Sequence, residues 1–276
     1  MTAKARPAAP VTHLNVICYK WGTMYTAEEV NILRAMVKRN LSLPHRFFCI
    51  TDDATGIDES EVEVRAMPPY DLPGNGPKIW TFSEGFLGLG PDEHVVSLDI
   101  DLVVVGSLDF LADRPEEDFI IARHRGKATE SDREGAEIFR GHGAVYRVRV
   151  GSLRQVWDDF IADPFGHSDK FPGLNGNDFS EQRWLAYELK DREPVYFPEE
   201  KIIIYRLDCD ARAASYKLGR LAGDIGLTTA WFGKARLPGK GEAIVSFAGK
   251  VNPRDVRDRH CGHLKQAPFV AEHWRL

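Results

Sequence analysis

Residues His94-Val-Val-Ser-Leu-Asp99-Ile-Asp101-Leu-Val-Val-Val105 set two aspartates, one residue apart, inside an apolar and mostly β-branched run. The flanking apolar residues read as strand buried on both faces. An ionised carboxylate is very costly in such a place unless positive charge meets it. Two carboxylates where a buried strand surfaces ask for a divalent cation. Asp-x-Asp can bind a hard metal from one side and leave other positions for phosphate oxygens. The bland alternative is that both aspartates only terminate the strand.

The surrounding chain alternates strands with helices. Leu14 to Tyr19 reads as a first strand, and Thr26-Ala-Glu-Glu29 as a capping box opening a helix with Val30, Leu33 and Val37 on one face. His45 to Thr51 is a second strand, and Glu61 to Ala66 a third. A Pro- and Gly-rich loop, 68–77, leads into an expected helix from Lys78 to Leu87. After the Asp-x-Asp strand come expected strands at 118–123 and 144–148, with a charged loop at 125–135 between them. Ser152 and Gln155 suggest a second capping box, before an apolar face of Leu153, Val156, Trp157, Phe160 and Ile161. A long loop is expected over 163–176, then a helix opened by Asp178 and Glu181, then strands at 202–205 and 243–247. This order predicts an α/β, Rossmann-like layered domain with a mostly parallel sheet. In such open sheets ligands bind beyond the carboxyl ends of the strands, where Asp99 and Asp101 fall.

Size and composition limit the alternatives. The chain has 276 residues, within reach of one domain over 11–276 behind a disordered lead-in at 1–10. A formal net charge of -5 argues against a general nucleic-acid surface. No apolar run approaches the ~20 residues of a membrane span. The four cysteines form no C-x-x-C pair, and the lead-in lacks the apolar core of a secretion signal, so a cytoplasmic protein is expected.

The order of motifs resembles the glycosyltransferases of the A-type fold, and within them the retaining family 8 enzymes such as glycogenin and the lipopolysaccharide galactosyltransferases. The segments that carry the likeness are Tyr19-Lys-Trp-Gly-Thr-Met-Tyr25, Phe48-Cys-Ile-Thr-Asp-Asp53 and the metal strand Ser97 to Leu108. Gly141-His-Gly-Ala-Val-Tyr146 and Ser180-Glu-Gln-Arg-Trp184 complete the series. The resemblance implies Mn2+ or Mg2+ held by Asp99 and Asp101, a nucleotide-sugar donor, most simply a uridine diphosphate sugar, and a saccharide or glycoconjugate acceptor. It puts Tyr19 in the nucleotide-binding opening, Lys78 and Asp99 at the donor, and Lys250 at the diphosphate. Gln182 falls beside the anomeric carbon. Glu181 becomes a ligand of sugar hydroxyls or a nucleophile, unless it only caps its helix. His142 could line the acceptor pocket.

One departure stands out. Where the family has a third metal ligand, His, this chain has Ser246, in Ser246-Phe-Ala-Gly249-Lys250-Val-Asn252-Pro253. A serine hydroxyl is a poor ligand for a divalent ion. His260 or His263 is the candidate substitute. Two other readings stay open. A phosphohydrolase of the haloacid dehalogenase type also uses an Asp-x-Asp after an apolar strand, but that motif normally opens the chain, and here 98 residues precede it. A sugar-nucleotide-binding protein without turnover would tolerate the loss of the histidine.

Overall fold

The computed structural model describes residues 9–125, 140–173, 178–210, 234–247, 251–262 and 264–276. Lys250, Gly249, His263 and most of the charged loop after Arg125 lie outside these residues.

Six strands form the central sheet: β1 (Leu14–Lys20), β2 (His45–Thr51), β3 (Glu63–Ala66), β4 (His94–Leu98), β6 (Phe119–Arg123) and β7 (Gly141–Arg149). Their order is β3-β2-β1-β4-β7-β6. The first four are mutually parallel. β7 runs antiparallel to both β4 and β6. A second, three-stranded sheet joins β5 (Leu102–Val104), β9 (Ile244–Ser246) and β8 (Ile202–Ile204), with β9 antiparallel to β5 and parallel to β8.

β1 is buried at all seven positions, which explains why its sequence does not alternate. Val16 and Cys18 enter one apolar cluster, with Phe47, Cys49 and Val96. Ile17 and Tyr19 enter the other, with Phe48, Ile50 and Val95. Helix α1 (Ala27–Asn40) covers the first face with Val30, Leu33, Met36 and Val37. Its capping box is present: Thr26 accepts from the Glu29 N–H, and Glu29 accepts from the Thr26 N–H at 2.8 Å. Helices α2 (Arg154–Ala162) and α4 (Glu181–Glu188) cover the second face with Val156, Phe160, Trp184 and Leu185.

The structure corrects several expectations. The run from His94 to Val105 is two strands in two sheets, and the chain turns between them at Asp99-Ile100-Asp101. Two carboxylates inside one buried ladder would be unsolvated, and the corner leaves both half-buried at the edge of the sheets. The expected helix from Lys78 to Leu87 is two 3-10 segments, Gly76–Phe82 and Phe86–Gly88. Pro77 starts the first, and Gly85 breaks the run with φ 63°, a left-handed value that glycine adopts without strain. No second capping box forms, because the Ser152 hydroxyl donates instead to the Arg149 carbonyl at 2.7 Å, and α2 follows Leu153. The expected loop after Asp163 contains helix α3 (Pro164–Lys170), with Asp163 as its cap and Pro164 in its first turn.

Candidate active site

The corner between the two sheets brings residues distant in sequence into one cleft. The Asp99 N–H donates to the Ala144 carbonyl of β7 at 2.9 Å, and the Phe247 N–H donates to the Asp101 carbonyl at 3.3 Å. The two aspartates are therefore held from both sides by backbone, one by each sheet. Their side chains remain for other work.

Lys78 enters from the first 3-10 segment. Its Nζ lies 2.5 Å from Asp99 Oδ1 and 3.8 Å from Glu181 Oε1. Burial pulls the Lys78 ammonium down, but Asp99 and Glu181 outweigh it and hold its pKa above the usual lysine range. The Tyr25 hydroxyl, from the loop before α1, faces the Asp101 carboxyl. Burial, with the Asp101 and Asp99 charges behind it, pushes the Tyr25 phenol up, so Tyr25 keeps its proton. Burial and the adjacent Asp99 charge push the Asp101 carboxyl up to about 7, against the pull of Lys78 and Tyr25.

Glu181 is the first residue of α4 and is buried. It does not cap its own helix: the Ser180 hydroxyl accepts from the Arg183 N–H instead. Gly143 of β7 makes room for it. A Cβ built on Gly143 would lie 2.9 Å from Glu181 Oε1 and 3.4 Å from Gln182 Cγ. Gln182 is half-buried, and among the described residues its amide makes no hydrogen bond. His142, one residue before Gly143, stacks on His124 with ring centroids 5.9 Å apart. Burial pulls the His142 imidazole down to about 4, so it is neutral near pH 7.

The structure thus brings Lys78, Asp99, Asp101, Glu181 and Gln182 to one place. It gives Tyr19 a different setting, buried in the core with its hydroxyl 2.8 Å from Thr81 Oγ1, while half-buried Trp21 packs edge-on against its ring. Asp53 accepts from the Thr55 N–H at 2.9 Å in a local turn, and Asp52 accepts from the Gly22 N–H at 3.0 Å, joining the loops after β2 and β1. Ser246 is buried in β9 opposite Leu102, immediately before the residue bonded to Asp101. Asn252 caps the short helix α5 (Pro253–Val256), and His260 Nδ1 lies 3.3 Å from the Gly262 carbonyl. Sequence reasoning missed Tyr25 as a partner of Asp101, and Gly143 as the floor beneath Glu181. Neither carries a signal that spacing could have exposed.

The donor set suits a hard divalent cation in part. Asp99 and Glu181 share the Lys78 ammonium, and among the described residues Asp101, two positions from Asp99, has no cationic side chain in an ion pair with it. Among the described residues, however, no group of three or more His, Cys, Asp and Glu side chains is placed to hold a metal. The protein itself therefore offers two carboxylates, Asp99 and Asp101, and the remaining ligands would be donor oxygens and water.

No family model matches the chain, and no curated protein matches it. Solved structures do: the fold is that of the A-type glycosyltransferases. The particular likeness is to the galactosyltransferase LgtC. One structure, of that enzyme in complex with donor and acceptor sugar analogs, matches with a TM-score of 0.53 at 12% identity over 88% of this chain and 90% of that one. Another, of an active-site mutant of LgtC, gives 0.51 at 13% identity over 87% and 89%. Among the described residues no helix is long and apolar enough to cross a membrane.

Proposed function

We propose that this chain is a glycosyltransferase that moves a sugar from a nucleotide diphosphate donor, most simply a uridine diphosphate sugar, to a hydroxyl of a saccharide or glycoconjugate acceptor. The observation that carries the reading is the convergence of Asp99, Asp101, Lys78, Glu181 and Gln182 at the corner between the two sheets. The fold shared with LgtC supports it.

Breaking a sugar–phosphate bond builds positive charge on the anomeric carbon and negative charge on the departing diphosphate. Lewis-acid charge from Mn2+ or Mg2+, held by Asp99 and Asp101, would stabilise that leaving group. Lys78 adds a second, desolvated positive charge on the same side. Glu181, buried beside Lys78, is placed to accept hydrogen bonds from sugar hydroxyls and fix the ring. Gln182 is a neutral amide and cannot serve as a base. Its unengaged carbonyl oxygen can face the cationic anomeric carbon while the acceptor attacks from the leaving-group side, with retention. The neutral His142 imidazole accepts from the Ala144 N–H at Nδ1, 3.4 Å, which leaves an Nε2 proton to donate to an acceptor oxygen. Lys250 remains the proposed partner of the diphosphate, and half-buried Trp21 the edge of the nucleotide subsite, with core-buried Tyr19 behind it as its support.

The test is a thermal-shift panel of nucleotide sugars with and without Mn2+, followed by donor hydrolysis and transfer assays. A rise in Tm that needs both a nucleotide sugar and Mn2+ is expected, since a ligand that binds only the folded state stabilises it by mass action. Turnover of a phosphate monoester instead would overturn the reading.

A further inference from the structure

We propose that the Lys78 ammonium is an exchangeable counter-ion, resting on Asp99 while no divalent cation is bound and passing to Glu181 when one arrives. The inference rests on the reading above that Asp99 and Asp101 take such a cation.

Two acids compete for one ammonium. Nζ sits 2.5 Å from Asp99 Oδ1 and 3.8 Å from Glu181 Oε1, so it bonds the first and only attracts the second. All three groups are withdrawn from water, with side-chain exposures of 13% for Lys78, 25% for Asp99 and 6% for Glu181. Charge at such distances is weakly screened. A dication bound by Asp99 takes the oxygen that now accepts from Lys78, and its charge repels the ammonium. Glu181 offers the ammonium a place to go about 1–2 Å away, within reach of a flexible lysine stem. The protein provides no third acidic or imidazole ligand among the described residues, so this ion pair is a large part of what a cation must displace.

Two consequences follow. Cation binding to the free protein is weakened by the internal ion pair, which favours a cation arriving together with diphosphate oxygens. Lys78, once released, pairs with Glu181 and turns that carboxylate into an oriented sugar ligand only when the site is loaded. Lys78 is thus a positioning residue as well as a charge.

Mn2+ binding without nucleotide, followed by electron paramagnetic resonance of free Mn2+ and by calorimetry at pH 7.5, tests the exchange independently of turnover. Lys78→Met is expected to bind Mn2+ at least tenfold more tightly than the native protein. Glu181→Gln is expected to weaken Mn2+ binding several-fold in the native background and distinctly less in the Lys78→Met background. Simple loss of a nearby charge would make the two effects additive. Equal or weaker binding by Lys78→Met, or additivity, overturns the exchange and leaves the transferase reading standing. Absence of Mn2+ binding in every variant, with and without uridine diphosphate, overturns both. Circular dichroism checks folding, and Lys78→Gln replaces Lys78→Met if the latter does not fold.

Discussion

The Glu181 carboxylate packs against the α-carbon of Gly143, so closely that a Cβ there would lie 2.9 Å from Oε1. The clashing atom is the end of a side chain, so the fold can accommodate a methyl group while the carboxylate cannot stay where it is. Gly143→Ala is therefore expected to lower turnover tenfold or more with a Tm change of only a few degrees. Steady-state kinetics beside a thermal melt check it; a normal kcat would show that Glu181 does not need its present position.

Asp99→Asn and Asp101→Asn remove carboxylate ligands while keeping side-chain size. Each is expected to abolish the Mn2+-dependent part of nucleotide-diphosphate binding and to leave the fold intact. Calorimetry with uridine diphosphate, with and without Mn2+, reads this directly, and near-native metal dependence in either variant would contradict the assignment.

Gln182 has no hydrogen bond to lose among the described residues. Gln182→Ala is expected to reduce kcat far more than donor affinity, because the proposed contact strengthens only as charge develops on the sugar. An equal loss in both would make it a binding residue.

Arg147 lies fully buried in β7. Its guanidinium donates to the carbonyls of Leu111, Asp113 and Arg114, each at 2.7 Å, tying the 3-10 turn Asp109–Ala112 to the central sheet. Arg147→Met strands these carbonyls and is expected to cost about 3 kcal/mol. Arg147→Lys should lose most of that too, because an ammonium does not reproduce the planar fork. Urea denaturation measures both.

His94 opens β4, buried, with Nε2 unpaired among the described residues. Burial, reinforced by Arg147 and Arg149, pulls its imidazole down to about 4 from an ordinary 6.5. The unfolded chain thus binds the proton more readily between these values, and stability falls as pH drops from 6.5 toward 4. The loss from this group reaches about 2 kcal/mol at pH 5. His94→Gln is expected to flatten the acid limb of a stability–pH curve measured in urea, and an unchanged limb would refute the assignment.

Much of the architecture was legible because it rests on local chemistry. The Thr26–Glu29 box marked the start of α1, and β2 runs over the residues its apolar pattern indicated. Expectations failed where short-range signals competed. Pro77, Gly85 and the left-handed Leu87 turned an expected helix into 3-10 turns. At Ser152 a backbone carbonyl captured the hydroxyl that a capping box required.

By itself the amino-acid order determined that two acids interrupt a buried apolar run, and hence that something cationic must meet them, since isolated charge is not tolerated there. Tertiary structure alone decided which cation the protein supplies. Lys78 is 21 residues from Asp99, and Glu181 lies more than a hundred residues from Lys78. Their approach depends on how β4, β7 and α4 pack, and no spacing rule along a single chain encodes an encounter across a sheet.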